Sequence, residues 1–326
     1  MEFKLNAAMF TREQRFEPFV ADRVYDVIII GGGPAGLTAA VYCMRKGLSA
    51  GIIVKEMGGQ VAETSGIENY MGYRYINGAE LVEKFREQVL QFGIAFEEGS
   101  SVTGITDGDV KSVIFQDGRT FSAKALIITS GKSWRKLGVP GEKELTGKGV
   151  AYCTTCDAPF FAGKKVMVVG GGNSGIEAAI DLARVAVDVT VIQNLDELTG
   201  DKVLVERLKE HGNVKVLYGQ EIAGIKGEEK VTAVRVRDRK TKIERDMAAD
   251  GIFVEIGLVP NTGFVQGFLE LNEFGEIKVD SACNTSRPGI FAAGDVTSVP
   301  YKQIIIAGGE GAKAALSACD YVMKTQ

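Results

Sequence analysis

The sequence predicts an α/β protein of two similar units, the second inserted into the first, and three observations carry that expectation. A glycine-rich turn, Gly31-Gly32-Gly33-Pro34-Ala35-Gly36, recurs as Gly170-Gly171-Gly172-Asn173-Ser174-Gly175. Each turn lies between an apolar run of strand length and a segment of helical period, with another strand behind it, which makes a βαβ unit. The chain also has 326 residues, more than one hydrophobic core usually holds.

In chain order, residues 24–30 read as a buried parallel strand, 34–46 as the helix after the first glycine turn and 50–54 as the second strand. An amphipathic helix at 79–92 follows, then alternating strands at 102–106, 110–115 and 120–123, the last two joined by the hairpin-type turn Asp117-Gly118. An apolar strand, 125–131, closes this half. The second half repeats the order with strand 165–169, helix 173–184, strand 187–192, helix 201–211, alternating strands 221–226, 231–237 and 243–247, and a closing strand at 251–257. Crossovers between units are expected at 132–137 and 258–263. The roughly 60 residues after Gly263 are too few and too rich in Gly and Ala for a core of their own, so they should return to the first unit. The expected domains are therefore 1–132 plus 263–326, with 1–22 as a surface arm, and 133–262.

Apolar content of 45% and charged content of 25% are those of a soluble globular protein, and no apolar stretch approaches the ~18 residues of a membrane span. The first 22 residues hold no apolar signal core, which points to a cytoplasmic protein without a membrane anchor. Lys and Arg number 38 against 42 acids, with no long basic run, so nucleic acid is not an expected ligand. Five cysteines, an odd and sparse count, do not suit the disulfide framework of a secreted domain. With one histidine and a single close cysteine pair, no metal site is expected.

The glycine turns fit dinucleotides. Gly31, Gly33 and Gly36 follow a strand and open a helix, where the first two let the backbone approach a pyrophosphate and the third lets helix and strand pack. At the end of the next strand Glu56, beside Lys55, can accept hydrogen bonds from a ribose. Gly170, Gly172 and Gly175, with Asn173 and Ser174, repeat the pattern, which makes both units Rossmann-like dinucleotide-binding domains. Here the next strand ends at Gln193, followed by Asn194 and Leu195 without an arginine. A neutral amide suits a free 2′-hydroxyl, so NADH is favoured over NADPH, although Lys202 is near enough in sequence to approach.

Between the turns stands Cys153-Thr154-Thr155-Cys156-Asp157. Thiols at this spacing can open and close a disulfide within one turn, and a partly buried Asp157 with a raised pKa can exchange protons with the leaving sulfur. Cys43, Cys283 and Cys319 read as isolated, with Cys43 and Cys319 as small buried apolar residues. In the tail, Gly294-Asp295 ends an apolar strand. Asp295 can bind a polyhydroxyl chain there, while Gly308, Gly309 and Gly311 permit close approach of a flat ring.

Together these residues resemble the low-molecular-weight thioredoxin reductases, and more closely the C-terminal reductase part of the flavoprotein subunit of bacterial alkyl hydroperoxide reductase. The resemblance rests on Gly-Gly-Gln (58–60), Ile-Glu-Asn-Tyr (67–70), the CxxCD, the second glycine turn, Phe-Ala-Ala-Gly-Asp-Val (291–296) and Tyr-Lys-Gln-Ile (301–304). It implies two Rossmann-like domains of the three-layer ββα type, a homodimer, and FAD at the first turn, contacted by Gln60, Asn69, Asp295 and Gln303. The implied flavin site also takes in Pro34, Ala35, Gly59, Gly131, Gly294, Lys302 and Ile304. It implies as well that Cys156 faces the flavin, that Cys153 attacks a protein disulfide, and that the domains rotate about the crossovers. Thioredoxin reductases that use NADPH carry a His-Arg-Arg type segment where this chain has Gln193-Asn194-Leu195. The peroxide-reductase subunit carries an N-terminal dithiol domain, whereas only a short arm precedes Tyr25 here, so a separate thioredoxin-like or glutaredoxin-like partner is expected. The expected activity is an FAD-dependent thioredoxin-disulfide reductase. The alternatives are a nicotinamide oxidase using dioxygen, a ferredoxin-fed reductase, and a non-catalytic redox sensor gated by dinucleotide.

Overall fold

A computed structural model of the chain describes residues 16–64, 67 and 69–325, with the side chains of Glu63, Thr155 and Cys156 outside that description. The first stretch runs β1 (Val24–Ile30), α1 (Pro34–Arg45), β2 (Ala50–Val54), α2 (Gly78–Leu90), β3 (Ala95–Glu98), β4 (Val102–Ile105), β5 (Lys111–Phe115) and β6 (Thr120–Ile128). Next come β7 (Lys132–Trp134), β8 (Val150–Ala151), α3 (Thr154–Asp157), β9 (Lys165–Val169), α4 (Asn173–Ala183), β10 (Asp188–Ile192), α5 (Lys202–Lys209) and β11 (Val214–Leu217). The chain finishes with β12 (Gln220–Lys226), β13 (Ala233–Asp238), β14 (Glu244–Ala248), β15 (Gly251–Val254), β16 (Leu258–Pro260), β17 (Ile290–Ala292) and α6 (Ile304–Lys324).

The chain divides into two compact units, Met1–Ser133 with Val259–Gln326, and Trp134–Leu258. In the first, β1 pairs in parallel with β2 and β6, and the sheet runs β3-β2-β1-β6-β5-β4 with β17 also on β6. Strands covered on both faces must be apolar throughout, and Val27 to Ile29 are fully buried. Pro34 opens α1, where its missing N–H leaves no helical bond unmade.

The expected strands 120–123 and 125–131 are one strand, β6, antiparallel to β5 over Thr120–Ala123, parallel to β1 over most of its length and parallel to β17 at its end, Leu126–Ile128. Lys124, which lies between the two expected strands, is part of β6, and its ammonium reaches Asp26 at 2.8 Å. Residues 16–20 also depart from a free surface arm. Glu17 bridges to Ala95, Phe16 stacks on Phe96, and Phe19 fills the space that a side chain at Gly51 would need. Residues 1–15 of that expected arm lie outside the described residues.

In the second unit a parallel sheet, β11-β10-β9-β15-β8, is accompanied by the antiparallel meander β12-β13-β14. Here the meander and β15 stay separate, because Ala249-Asp250 turns the chain between them and Asp250 caps the Lys165 N–H at 2.9 Å. The expected strand 251–257 ends at Val254, so Glu255 stands just beyond the sheet. The passages between units, β7 and β16, pair as a two-stranded ribbon. Among the described residues no helix is long and apolar enough to cross a membrane, and no cluster of His, Cys, Asp and Glu is placed to hold a metal.

Candidate active site

The two glycine turns are built alike. At Gly31, φ of +126° and a Thr129 carbonyl 2.2 Å from where a Cβ would stand leave no room for a side chain, and a Cβ on Gly36 would lie 1.9 Å from the Gly31 oxygen. At Gly170 and Gly175 the corresponding distances are 2.2 Å, to the Glu255 carbonyl, and 2.1 Å, to the Gly170 oxygen. The middle glycines differ in kind. Among the described residues, a Cβ on Gly33 would meet only Gly58 O at 4.0 Å, and one on Gly172 only Thr199 Oγ1 at 3.9 Å. Each is the N-cap of its helix and caps it with no side chain. Open space before an uncapped helix N-terminus, with the backbone bare of side chains, is the form that a pyrophosphate requires. Both sites fit a dinucleotide on that ground.

Around the first turn, Lys55 and Glu56 are exposed at the end of β2, and Gly59 is exposed beside them. Gln60 donates from Nε2 to the Lys132 carbonyl at 2.7 Å, and Asn69 donates from Nδ2 to Gln303 Oε1 at 3.1 Å. Gly131, with φ of +64°, has none of the described residues within 4 Å of a notional Cβ, whereas Gly294 packs on Ala35. Burial pushes the Asp295 carboxyl up, opposed by the Lys302 and Lys132 ammonium groups. Ile304 begins α6. Of the tail glycines, Gly311 serves helix packing instead of a flat ring, since the Ala35 carbonyl lies 2.1 Å from where its Cβ would be.

The residues not foreseen here are Lys132 and Glu276. Their 2.6 Å ion pair, with each side chain 11% exposed, is joined by Asn272 Nδ2 at 2.6 Å and Lys302 Nζ at 3.4 Å. Burial lowers the Lys302 pKa, and its ammonium also donates to the carbonyls of Thr297 and Val299. A buried charge is tolerated only when paired and hydrogen-bonded, and this group satisfies that condition. Nothing local marks Lys132 in the sequence, because its partner lies 144 residues away.

In the second unit, β8 delivers Tyr152 and Cys153 to α3. Tyr152 donates to Glu142 Oε1 at 2.8 Å, and Glu142 also accepts from the Leu137 and Gly138 N–H groups, which fixes the approach to the dithiol. Cys153 is the N-cap of the turn, and Asp157 N donates to its carbonyl at 3.1 Å. The Cys153 sulfur is disulfide-bonded, whereas Cys43, Cys283 and Cys319 are free and buried. The sulfur of Cys156 belongs to a side chain outside the described set. Burial and the Glu310 carboxylate push the Cys283 thiol up to about 12, and the neighbouring Cys319 thiol together with burial raises Cys43. Neither forms a thiolate readily at neutral pH.

Asn173 ties α4 to the start of α5, accepting from Asp201 N at 2.7 Å and donating to Asp201 Oδ2 at 3.0 Å. Ser174 lies 3.5 Å from the Glu255 carbonyl. Gln193 is buried, its Nε2 donating to Glu197 O at 2.9 Å and its Oε1 accepting from Asn194 N at 3.0 Å. The amide thus shapes the loop that follows β10.

No motif in the sequence singles out Glu255. Its Oε1 accepts from Thr154 Oγ1 at 2.9 Å, inside the CxxC, and its backbone borders Gly170. Burial pushes this carboxyl from 4.5 up to about 7, against the Thr154 hydrogen bonds and with a small push from Glu177. As pH rises from about 4.5 to 7 the unfolded chain loses this proton first, so stability falls across that window by up to about 3 kcal/mol. Glu255→Gln should remove that slope. Urea midpoints of variant and wild type are expected to agree near about pH 5 and to separate by about pH 8, with the variant more stable; parallel curves would contradict it.

Comparison with known proteins agrees with this geometry. Residues 25–311 match the family model described as pyridine nucleotide-disulphide oxidoreductase. The chain is 45% identical over 313 residues to an alkyl hydroperoxide reductase subunit of Pseudomonas putida, covering 95% of this chain and 60% of that protein. It is 45% identical over 300 residues to a protein named NADH dehydrogenase from Ferdinandcohnia aciditolerans, covering 92% and 58%. This chain therefore spans about 60% of the length of these curated relatives. The crystal structure of thioredoxin reductase from Streptococcus pyogenes superposes with a TM-score of 0.82 at 39% identity, covering 93% of this chain and all of that one, and its fold is of two Rossmann-like domains. The chain belongs to the pyridine nucleotide-disulphide oxidoreductase family, in its thioredoxin reductase-like branch.

Proposed function

We propose that this chain is a flavin-dependent disulfide reductase that carries electrons from a reduced nicotinamide nucleotide, through FAD and the Cys153–Cys156 disulfide, to a thioredoxin-like or glutaredoxin-like protein. The observation that supports it most is the disulfide-bonded Cys153 at the mouth of a short turn, in the same unit as the second glycine turn, while the three cysteines outside the motif are free and buried. FAD would be held by the first glycine turn with Lys55, Glu56, Gln60, Asn69, Asp295, Lys302 and Gln303, and the nicotinamide nucleotide by Gly170, Gly172, Asn173, Ser174 and Gly175. Bound, these groups supply a hydride donor and a carrier that gives its electron pair to a disulfide.

The work of the chain is positioning and proton transfer. Cys153 attacks the partner disulfide and forms a mixed disulfide. Cys156 then closes the intramolecular bond, releasing the partner as a dithiol. Asp157 exchanges protons at the leaving sulfur. Each cycle consumes one reduced nucleotide and one proton and reduces one partner disulfide. The neutral strand end 193–195 favours NADH, and the reading carries with it a homodimer in the reducing cytoplasm.

Flavin-loaded protein should oxidise NADH over many turnovers only when a disulfide protein such as oxidised thioredoxin is present, with one disulfide reduced per nucleotide. Consumption that proceeds with dioxygen alone, without thiol formation, would identify an oxidase. Binding without turnover would identify a sensor.

A further inference from the structure

Glu255 stands between the dithiol and the second glycine turn. In the parallel sheet of the second unit β15 lies between β8 and β9, with Phe253 opposite Ala151 and Val254 opposite Val169. Carried past the strand ends, that register sets Glu255 level with Cys153 on one side and with Gly170 on the other. Neighbouring strands run about 4.8 Å apart, so the Glu255 side chain starts one strand away from the attacking cysteine. It turns to that side, where its Oε1 accepts from the hydroxyl of buried Thr154 at 2.9 Å, while its carbonyl faces Ser174 Oγ at 3.5 Å. The ionisable groups about it are few. Glu177 on α4 disfavours its charge, Asp157 closes the same short turn as Thr154, and among the described residues no cation neutralises it.

A tie for the turn alone needs no charge. An amide would accept from Thr154 as well, without the penalty of burying a carboxylate. We propose, on the basis of the relay put forward above, that Glu255 is a positioning residue for thiol exchange: held by Thr154 one strand from Cys153, it permits the attacking thiolate when neutral and holds the sulfur back as thiol when ionised. A unit charge within about 10 Å, at an effective dielectric constant of about 20, changes the ionisation constant of a thiol by about tenfold. The coupling is reciprocal. Ionisation of Cys153 keeps the proton on Glu255, so the two groups titrate together over a broad range instead of in independent steps. Burial, which pushes the Glu255 carboxyl up to about 7, puts that range where a thiol relay works.

The test uses the flavin-loaded full chain carrying Cys156→Ser, so that Cys153 is the one thiol of the turn. Iodoacetamide is the probe, and its rate of labelling at Cys153 is read by peptide mass spectrometry across about pH 5 to 9. Adding Glu255→Gln should lower the labelling midpoint by about one pH unit, a tenfold change in the ionisation constant, and sharpen the curve to a single step. Adding Thr154→Val should move the midpoint in the same direction, because a carboxyl without its donor stays neutral to higher pH, whereas Thr154→Ser should keep the parent curve. Thermal melting confirms the fold of each variant. Midpoints that agree with and without Glu255→Gln, or a shift that Thr154→Val fails to reproduce, overturn the role of Glu255 alone. Labelling of Cys153 no faster than that of buried Cys43, Cys283 and Cys319 overturns the relay together with it.

Discussion

Cys153→Ser is expected to lower reduction of a thioredoxin-like disulfide by more than about 10³-fold while NADH still bleaches the bound flavin. The loss should be chemical and not structural. Cys153 is an N-cap residue with φ of −128° and ψ of 101°, an extended conformation that any residue adopts, and serine is among the favoured N-cap types. The three thiols outside the motif cannot stand in, because Cys43, Cys283 and Cys319 are buried, and Cys156 is the thiol that the proposed relay turns to the flavin. Anaerobic stopped-flow absorbance would follow flavin reduction, and a thiol assay would follow the partner. Partner turnover within about tenfold of wild type would remove Cys153 from the relay.

The second large effect separates glycines that serve packing from those that face ligand. Gly36→Ala places a methyl 1.9 Å from Gly31 O and 2.7 Å from Thr129 Oγ1, with no flexible side chain to yield at the backbone oxygen. Helix α1 must move from β1, at a cost of about 3 kcal/mol or more. Among the described residues Gly33→Ala meets only Gly58 O at 4.0 Å, so the apoprotein should keep its melting temperature within a few degrees while flavin retention falls at least about tenfold. Melts of both apoproteins and the flavin absorbance after gel filtration decide it. Full flavin retention by Gly33→Ala would contradict the pyrophosphate assignment.

These contrasts show which parts of the molecule the sequence makes legible. The glycine turns are visible because a positive φ and a close helix–strand approach act within six residues. The β-strands and helices are visible through periodicity, which is also local. What stayed hidden depends on distant pairing: Thr154 with Glu255 across 101 residues, and Arg239 with Asn194 across 45. Gln193 illustrates the same limit from the other side. Its place at a strand end is readable, but the burial of its amide against Glu197 and Asn194 follows from how the loop folds back. Lys124 lies between two segments expected as separate strands, and the partner that sits beside it within the single strand, Asp26, is 98 residues away.

The Glu255 carboxyl that accepts from Thr154, pushed up to about 7 by burial, changes charge within the neutral range instead of far below it. A change of pH across that range therefore changes what the Thr154 hydroxyl meets in the turn. Spectroscopic signals from residues 153–157 should shift with a midpoint near neutrality even in protein that has never met a nucleotide or a partner.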